Sequence, residues 1–153
     1  MRILIVSHDY PSIANKAARA FVHARVLIYI RKGNSVKVFI PSKKELYTYT
    51  HEGVQVTRAP LTNVFDVVDE FDPDVVAVHS PTWRWLSPIS KLDRPIVSWI
   101  HGAEALVRAF HNYFFPLSLR DNMLKTHSVF FDPVKRSLLR EFSRVSSAVV
   151  YVS

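Results

Sequence analysis

Polar side chains capable of acid–base or binding chemistry follow three hydrophobic segments of this sequence, each where the segment ends. The three groups are Ser7-His8-Asp9-Tyr10, His79-Ser80 and His101-Gly102-Ala103-Glu104. An imidazole exchanges protons near neutral pH, and hydroxyl and carboxylate groups hydrogen-bond to sugars and to imidazoles. A single histidine at the end of a strand is more often a packing residue than a catalytic one. The groups therefore predict a ligand site only if the fold brings them to one edge.

His101 and Gly102 make the third group the most informative one. Glycine allows a ligand to approach the backbone closely, and amides at the start of the following helix can bind an anion or a sugar hydroxyl. Glu104 falls in the first turn of that helix, where a carboxylate also stabilises the helix dipole. A binding role and a purely helix-stabilising role for Glu104 both stay open.

The sequence lacks the common motifs of several enzyme classes. It contains neither the G-x-G-x-x-G pattern of nicotinamide and flavin dehydrogenases nor the G-x-x-x-x-G-K-[ST] pattern of P-loop nucleotidases. A G-x-S-x-G nucleophile elbow is also missing. There is no cysteine and no H-E-x-x-H spacing among the seven histidines, so we predict no metal site and no bound cofactor.

Alternating strand and helix patterns must position these groups. Apolar runs predict six strands, which are Arg2–Ser7, Ser35–Ile40, Val54–Arg58, Val75–Val78, Ile96–Ile100 and Ala148–Val152. Apolar residues spaced by three and four predict helices over residues 15–32 and 63–71. From Ala103 to about Arg144 the pattern is mostly helical, with breaks at Pro116 and Pro133. The boundary signals are Gly33-Asn34, Asn63 and Asp132-Pro133. Residues 41–52 are predicted to be a loop, and residues 82–92 a short helix or a loop.

The alternation of strands and helices predicts an α/β fold. We expect a Rossmann-like three-layer sandwich with a mainly parallel sheet of about six strands. Residues 1–153 are expected to form one domain, since 153 residues fit a domain of ordinary size. Ligands of such sheets bind beyond the carboxyl ends of the strands. Because all three polar groups fall there, we predict a ligand site along this edge that includes His8, Tyr10, His79 and Ser80.

The overall charge favours an anionic partner. The net charge is +7, the pI is near 9.9, and 48% of the residues are hydrophobic, as in a folded globular protein. Residues 105–145 contain seven lysine and arginine residues, three acidic residues and several aromatic ones. This segment either lies on an anionic membrane or buries its aromatics below a solvated basic face. No apolar run is long enough to span a bilayer, and no nucleic-acid-binding motif is present, so we do not expect nucleic acid as a partner.

Five segments, in order, resemble the N-terminal half of GT-B glycosyltransferases, most closely the retaining, glycogen-synthase-like family four. The first is the opening Arg-Ile-Leu-Ile-Val-Ser with the following Tyr-Pro-Ser and the helix that closes in Lys-Gly-Asn-Ser-Val-Lys-Val. The others are Glu52–Pro60, similar to G-V-x-V-x-R-x-P; Asp72–His79, similar to P-D-V-V-H-x-H; Ile96–Glu104, similar to P-x-V-x-x-x-H-G-x-E/D; and Ser147–Ser153, similar to A-D-x-V-I-x-V-S. Together they cover essentially the whole chain.

The resemblance implies two Rossmann-like domains facing each other across a cleft, with the acceptor held mainly by the N-terminal one. It implies hexosyl transfer with retention to a glycan or lipid-linked acceptor, without a metal and with a nucleotide-sugar as co-substrate. The family's H-G histidine corresponds to His101 and lies beside the transferred sugar. Because residues 1–153 contain no counterpart of the family's E-x7-E motif and nucleotide pocket, we expect the C-terminal donor domain to be absent from this chain. The chain alone is then expected to be inactive.

Residues 12–16 depart from the family pattern. The family usually carries two glycines after the Tyr-Pro segment, where backbone amides approach the donor diphosphate. This chain has Ser-Ile-Ala-Asn-Lys instead. Asn15 and Lys16 are therefore candidate ligand contacts, with the Lys16 ammonium as a point charge for phosphate.

Trp83 is a further candidate, because a tryptophan at the mouth of the cleft can stack on a sugar ring. Packing against the following helix is an equally open alternative for it. Two other functions also stay open: half of a GT-B-like sugar-nucleotide epimerase, and a non-catalytic Rossmann-like module that binds an anion. The absence of cysteine favours a cytoplasmic protein. The family's frequent membrane-bound acceptors, together with the basic charge, leave a peripheral position at the inner face of the membrane open.

Overall fold

The computed structural model describes residues 1–101 and 133–152, which form one sheet with helices on both faces. The strands are β1 (Arg2–Val6), β2 (Ser35–Ser42), β3 (Tyr47–His51), β4 (Val54–Pro60), β5 (Val75–His79), β6 (Ile96–His101) and β7 (Ala148–Val152). The helices are α1 (Ala20–Arg31), α2 (Val64–Phe71, after a 3-10 turn at Leu61–Asn63), α3 (Trp83–Ile89) and α4 (residues 133–145).

The strand order is β3-β4-β2-β1-β5-β6-β7, and every pairing except β3–β4 is parallel. From β1 the chain first builds the sheet outward through β2 and β4, and it then returns to the other side of β1 with β5 and β6. The carboxyl ends of β1 and β5 therefore flank the topological switch point, where ligands of open α/β sheets bind. His8 follows β1, and His79 ends β5.

Side-chain alternation in the central strands supplies two cores, one on each face of the sheet. In β1, Ile3 and Ile5 belong to the core beneath α1, whereas Leu4 and Val6 belong to the core beneath α2, α3 and α4. The fully buried Phe142 anchors α4 in the second core. Burying such a side chain stabilises the folded protein by roughly 1.5–3 kcal/mol. The alternation of apolar side chains therefore fixes which face of the sheet each residue occupies, as far as the end of its strand.

The predicted fold class and the six predicted strands are confirmed, but the prediction of a loop over residues 41–52 is partly wrong. Residues 47–51 form β3, an antiparallel edge strand paired with β4. Glu52 and Gly53 connect the two strands with φ values of 46° and 79°, the pattern of a two-residue type I′ hairpin. Most β3 side chains are exposed, so this strand lacks the apolar run that predicts the other strands.

The helix boundaries follow local backbone conformation. α1 begins at Ala20 and not near residue 15, because residues 16–19 form turns and Arg19 has a left-handed φ of 48°. Its predicted end is confirmed, since Gly33 has a φ of 81° and the Asn34 N–H donates to the Tyr29 carbonyl oxygen.

The other predicted helix signals have different outcomes. Asn63 precedes α2 as expected, but its side-chain amide donates to the Asp66 carboxylate instead of capping the backbone. Residues 82–92 contain a short helix, α3, which settles one of the two alternatives. Asp132 and the part of the predicted helical stretch that runs from residue 103 to residue 132 lie outside the described residues. Within residues 1–101 and 133–152, no helix is long and apolar enough to cross a membrane.

Candidate functional site

Two histidines meet at the carboxyl ends of β5 and β6. Nδ1 of His79 lies 3.1 Å from Nε2 of His101, and the two rings stack with centroids 5.3 Å apart and planes 18° apart. His79 also stacks on Trp99 of β6, at 6° between ring planes. The parallel register causes this arrangement, because it sets His79 opposite Trp99 and leaves His101 two residues further along β6. We call His79 and His101 the rim pair.

Burial keeps His79 neutral. Its side chain is almost wholly inaccessible, and this burial, followed by the positive charges of Arg25, His101 and Arg19, lowers the pKa of His79 from 6.5 to about 3. The Arg25 guanidinium lies 3.9 Å from the centre of the Trp99 ring, which holds its charge beside the rim pair. At neutral pH, His79 is therefore a fixed hydrogen-bonding group that orients His101.

Three buried polar atoms at the switch point have no hydrogen-bond partner within the described part of the chain. They are Nε2 of His79, Oγ of Ser80 and Oγ of Ser7. Ser80 also has a left-handed φ of 55°, and strained residues of this kind concentrate at functional sites. Because buried polar groups are normally hydrogen-bonded, these atoms are suited to bind a polar ligand between β1 and β5.

A pocket of about 530 Å³ opens at the same carboxyl edge on the side of the sheet where α3 packs, whereas contacts with Trp99 and with Phe21 of α1 place the rim pair on the α1 side. The pocket is lined by His8, Pro41, Ser42, Lys43, Leu61, Thr82, Trp83, Arg84 and Trp85. His8 connects the pocket to the turn after β5, because its ring contacts Trp85 at 4.2 Å between centroids and its Nε2 lies 2.9 Å from the Ser80 carbonyl oxygen. Trp83 is 43% exposed, and Lys43 and Arg84 add positive charge. The pocket combines an aromatic face with two cations and has the size of a small-ligand site.

The structure brings together most of the residues predicted from strand ends. His79, Ser80 and His101 lie at the rim, and His8 and Trp83 line the pocket on the α3 side of the same edge. The expectation that the three imidazoles share the carboxyl edge of the sheet is confirmed. That these residues contact a substrate stays a prediction.

Tyr10 is placed differently from the expectation, and this is a correction. The side chain is 1% exposed in the core beneath α1, and its hydroxyl lies 2.6 Å from Nδ1 of His23. The reason is that the loop after β1 folds its aromatic residue back onto the sheet, where apolar surface is removed from water. Tyr10 does not line the pocket.

The remaining predicted site residues lie in the loop after β1 or beyond the described part. Asn15 and Lys16 are exposed between β1 and α1, and the Asn15 N–H donates to the Ser12 hydroxyl. Neither residue lines the pocket. Gly102 and Glu104 lie outside the described residues, so their predicted contacts stay predictions.

Sequence reasoning missed the cations of this site. Lys43 follows the end of β2, and the same strand-end rule would have found it if β2 had been extended beyond Pro41 to Ser42. Arg25 lies in the middle of α1, and its position over Trp99 follows only from the packing of helix on sheet.

A second polar cluster lies where α1 meets the β3–β4 hairpin. Each of His23, His51 and Glu52 offers one ligand atom, and these three atoms lie within 4.8 Å of one another. Among the described residues this is the group with the donor atoms and spacing to hold a metal ion.

Comparison with known proteins identifies the fold. No family model and no curated protein matches the sequence. A solved structure, alpha-glucosyltransferase in complex with UDP and a 13-mer DNA containing a central A:G mismatch, matches 99% of this chain with a TM-score of 0.53 at 14% identity. The fold is that of a GT-B half.

Two further structures match this GT-B half with a TM-score of 0.43. One is alpha-glucosyltransferase with UDP and a 13-mer DNA containing an HMU base, at 16% identity over 66% of this chain. The other is alpha-glucosyltransferase (AGT) with UDP, at 17% identity over 71%. The chain spans 37% of the first neighbour's length, and 29% and 33% of the other two.

Proposed function

We propose that this chain is the acceptor-side half of a nucleotide-sugar-dependent glycosyltransferase that transfers a hexosyl group with retention to a glycan or lipid-linked acceptor. The observation that carries the proposal is the rim pair at the carboxyl ends of β5 and β6, beside the switch point of a GT-B half. The resemblance to the retaining, glycogen-synthase-like family supports a role for His101, whose position matches that family's H-G histidine. We expect the chain alone to be inactive.

In this proposal the two members of the rim pair have different tasks. His101, half-buried at the end of β6, hydrogen-bonds to the transferred sugar or to the attacking hydroxyl. His79 orients His101, because its neutral ring holds His101 through the hydrogen bond at Nδ1, and its Nε2 is a proposed polar contact for the ligand. A group oriented before the reaction needs no reorganisation in the transition state, which lowers the barrier.

The pocket on the α3 side of the carboxyl edge is the proposed acceptor subsite. The exposed Trp83 ring suits stacking on a sugar face, and Ser42 and Thr82 offer hydroxyl groups for hydrogen bonds. Lys43 and Arg84 suit an anionic group such as the phosphates of a lipid-linked sugar. This combination supports an acceptor that carries both a sugar ring and negative charge.

In this proposal, a second domain that faces this one binds most of the nucleotide-sugar donor. On this chain, we keep Asn15 and Lys16 as proposed contacts to the donor phosphates, with Gly102 and Glu104 as contacts to the sugar. The exposure of Asn15 and Lys16 agrees with this role.

The neighbours require one correction. Two of the three alpha-glucosyltransferase structures contain DNA, which weighs against our expectation that nucleic acid is not a partner. We withdraw that expectation. Duplex DNA therefore belongs among the acceptors that are tested, and the net charge of +7 makes salt controls necessary.

A transfer assay on the natural polypeptide that carries this sequence tests the proposal. Radiolabelled nucleotide-hexoses are incubated with an oligosaccharide, a polyprenyl-phosphate-linked sugar or duplex DNA. We expect transfer to the first or second acceptor with retention, and a kcat/KM at least about 100-fold lower in His101→Ala. His51→Ala is the matched control and keeps wild-type transfer, because His51 lies at the β3–β4 hairpin away from the rim pair.

Each other result has a defined meaning. Unchanged transfer by a folded His101→Ala variant removes His101 from the mechanism. Epimerisation of the nucleotide-sugar without an acceptor supports the epimerase alternative. Salt-sensitive anion binding without turnover supports the non-catalytic module.

We also propose that the protein acts in the cytoplasm, peripherally at the inner face of an anionic membrane. The net charge of +7 and the basic, aromatic composition of residues 105–145 support this location. Most of that segment lies outside the described residues.

A further inference from the structure

We propose that His23, His51 and Glu52 form a binding site for a divalent transition-metal ion, with Zn²⁺ as the best match. The site joins α1 to the β3–β4 hairpin, and none of its three residues lines the pocket described above. It is independent of the proposed glycosyl transfer. The expectation of no metal site rested on sequence spacing, which cannot reveal ligands that a helix and a distant hairpin bring together.

The donor atoms already lie close to the spacing of a metal site. Nε2 of His23 lies 3.0 Å from Oε2 of Glu52, and Nε2 of His51 lies 3.9 Å from Oε1 of the same carboxylate. The two imidazole centroids are 5.0 Å apart. In a tetrahedral site with bonds near 2.0–2.2 Å, ligand atoms are about 3.3 Å apart. Side-chain movements of the order of 1 Å therefore place all three donors on one ion.

Tyr10 supplies the outer hydrogen bond that metal-binding histidines commonly have. Its hydroxyl lies 2.6 Å from Nδ1 of His23, and both side chains are buried. Such a bond fixes the ring orientation and the tautomer. With an ion bound, Nδ1–H of His23 donates to the Tyr10 oxygen, and Nε2 offers its lone pair to the metal.

The hairpin presents the other two ligands from adjacent residues. His51 ends β3, and Glu52 occupies the first turn position with a left-handed φ of 46°. Because the turn fixes this backbone, both side chains meet α1 at His23. The Glu52 side chain is 61% exposed, so an ion reaches the site from solvent.

The donor set selects the class of metal. Two imidazole nitrogens and one carboxylate form the set of open zinc sites, in which water or another ligand takes the fourth position. Mg²⁺ and Ca²⁺ prefer oxygen ligands alone, and Cu(I) prefers sulfur. A bound ion links an edge hairpin to the first helix, so we expect it to stabilise the folded chain.

Metal titration of the chelator-treated chain tests the site. We expect calorimetry to give one Zn²⁺ per chain, Zn²⁺ to raise the melting temperature, and EDTA to reverse the rise. Co²⁺ is expected to give the visible absorption of a tetrahedral complex. His51→Ala and Glu52→Gln change half-buried or exposed side chains, so these variants are expected to fold and to weaken binding at least tenfold.

Two variants are matched controls. Glu45→Gln removes an exposed carboxylate that pairs with Arg58 instead of with the histidines, and it is expected to bind Zn²⁺ as the wild type does. His101→Ala removes an imidazole of the rim pair and is also expected to retain binding. Absence of saturable binding, or equal binding by folded His51→Ala and Glu52→Gln variants, overturns the proposal. Loss of binding in His101→Ala alone places the ion at the rim pair and overturns it too.

Discussion

The ionisation of His79 differs strongly from that of an ordinary histidine. Burial lowers its pKa from 6.5 in the unfolded chain to about 3 in the folded one. Between these two values the unfolded state binds a proton that the folded state does not. The folding stability that depends on neutral His79 is therefore complete above pH 6.5 and is lost as the pH falls toward about 3.

Replacing His79 by glutamine is expected to flatten the pH dependence of stability in that range. Denaturant unfolding between pH 7 and pH 3 measures the slope, to which His79 contributes up to about 1.4 kcal/mol per pH unit. Val78→Ala is the matched control, because it creates a cavity in the same strand without removing a titrating group. It lowers stability at every pH and keeps the wild-type slope. A His79→Gln variant with an unchanged slope contradicts the burial of a neutral imidazole.

Trp83 gives a second test at the scale of one residue. If its exposed ring stacks on the acceptor sugar, Trp83→Ala raises the KM for the acceptor about tenfold, which corresponds to about 1.4 kcal/mol, and leaves kcat nearly unchanged. Phe65→Ala, at an aromatic residue of α2 that does not line the pocket, is the control with unchanged KM. Steady-state kinetics with varied acceptor measures both. An unaltered KM in Trp83→Ala shows that the ring only packs.

At the scale of elements, the β3–β4 hairpin depends on its two-residue turn. Gly53 has a φ of 79°, and its Cβ position is open, so alanine there meets backbone strain without a steric clash. We expect Gly53→Ala to lower the free energy of unfolding by about 1–2 kcal/mol. Gly53→Asn is expected to cost less, because asparagine tolerates the left-handed region. Chemical denaturation compares the two variants. Equal stability of Gly53→Ala and the wild type contradicts the turn.

The central strands are predicted correctly, because their burial requires the apolar residues that make a strand recognisable in the sequence. β1 and β5 lie in the centre of the sheet, so both of their faces are apolar and their runs are easily recognised. β3 lies at an edge with exposed tyrosine and threonine side chains, which gave no apolar run. The start of α1 depends on the left-handed backbone of Arg19, a conformation that side-chain spacing does not encode.

At the scale of the whole molecule, the site could be predicted as far as parallel topology dictates it. Strand ends in a parallel sheet share an edge, so His8, His79 and His101 could be placed together from their positions in the sequence. His79 and His101 form the rim pair, whereas His8 lines the pocket. This difference depends on the face of the sheet that each side chain occupies after its strand ends. The burial of Tyr10 depends on the path of a loop, and the metal cluster depends on how α1 packs beside the hairpin.

The net charge of the molecule predicts membrane binding that depends on salt. With a net charge of +7, the protein is expected to sediment with vesicles that contain anionic lipid at low ionic strength. Neutral phosphatidylcholine vesicles are the control and are expected to retain little protein. Salt at about 0.5 M is expected to release it, because screening shortens the reach of surface charges. Failure to bind anionic vesicles at low salt contradicts the peripheral location.

The most direct test of the central claim is to observe the imidazoles while the natural polypeptide that carries this sequence binds a nucleotide-sugar and an acceptor. Selective ¹⁵N labelling of histidine lets NMR follow each ring separately. The rim pair is expected to respond, so the resonances of His79 and His101 shift with ligand concentration while those of His23 and His51 stay in place. Saturating ligand that leaves the His79 and His101 resonances unmoved would contradict a sugar-transfer site at this edge of the sheet.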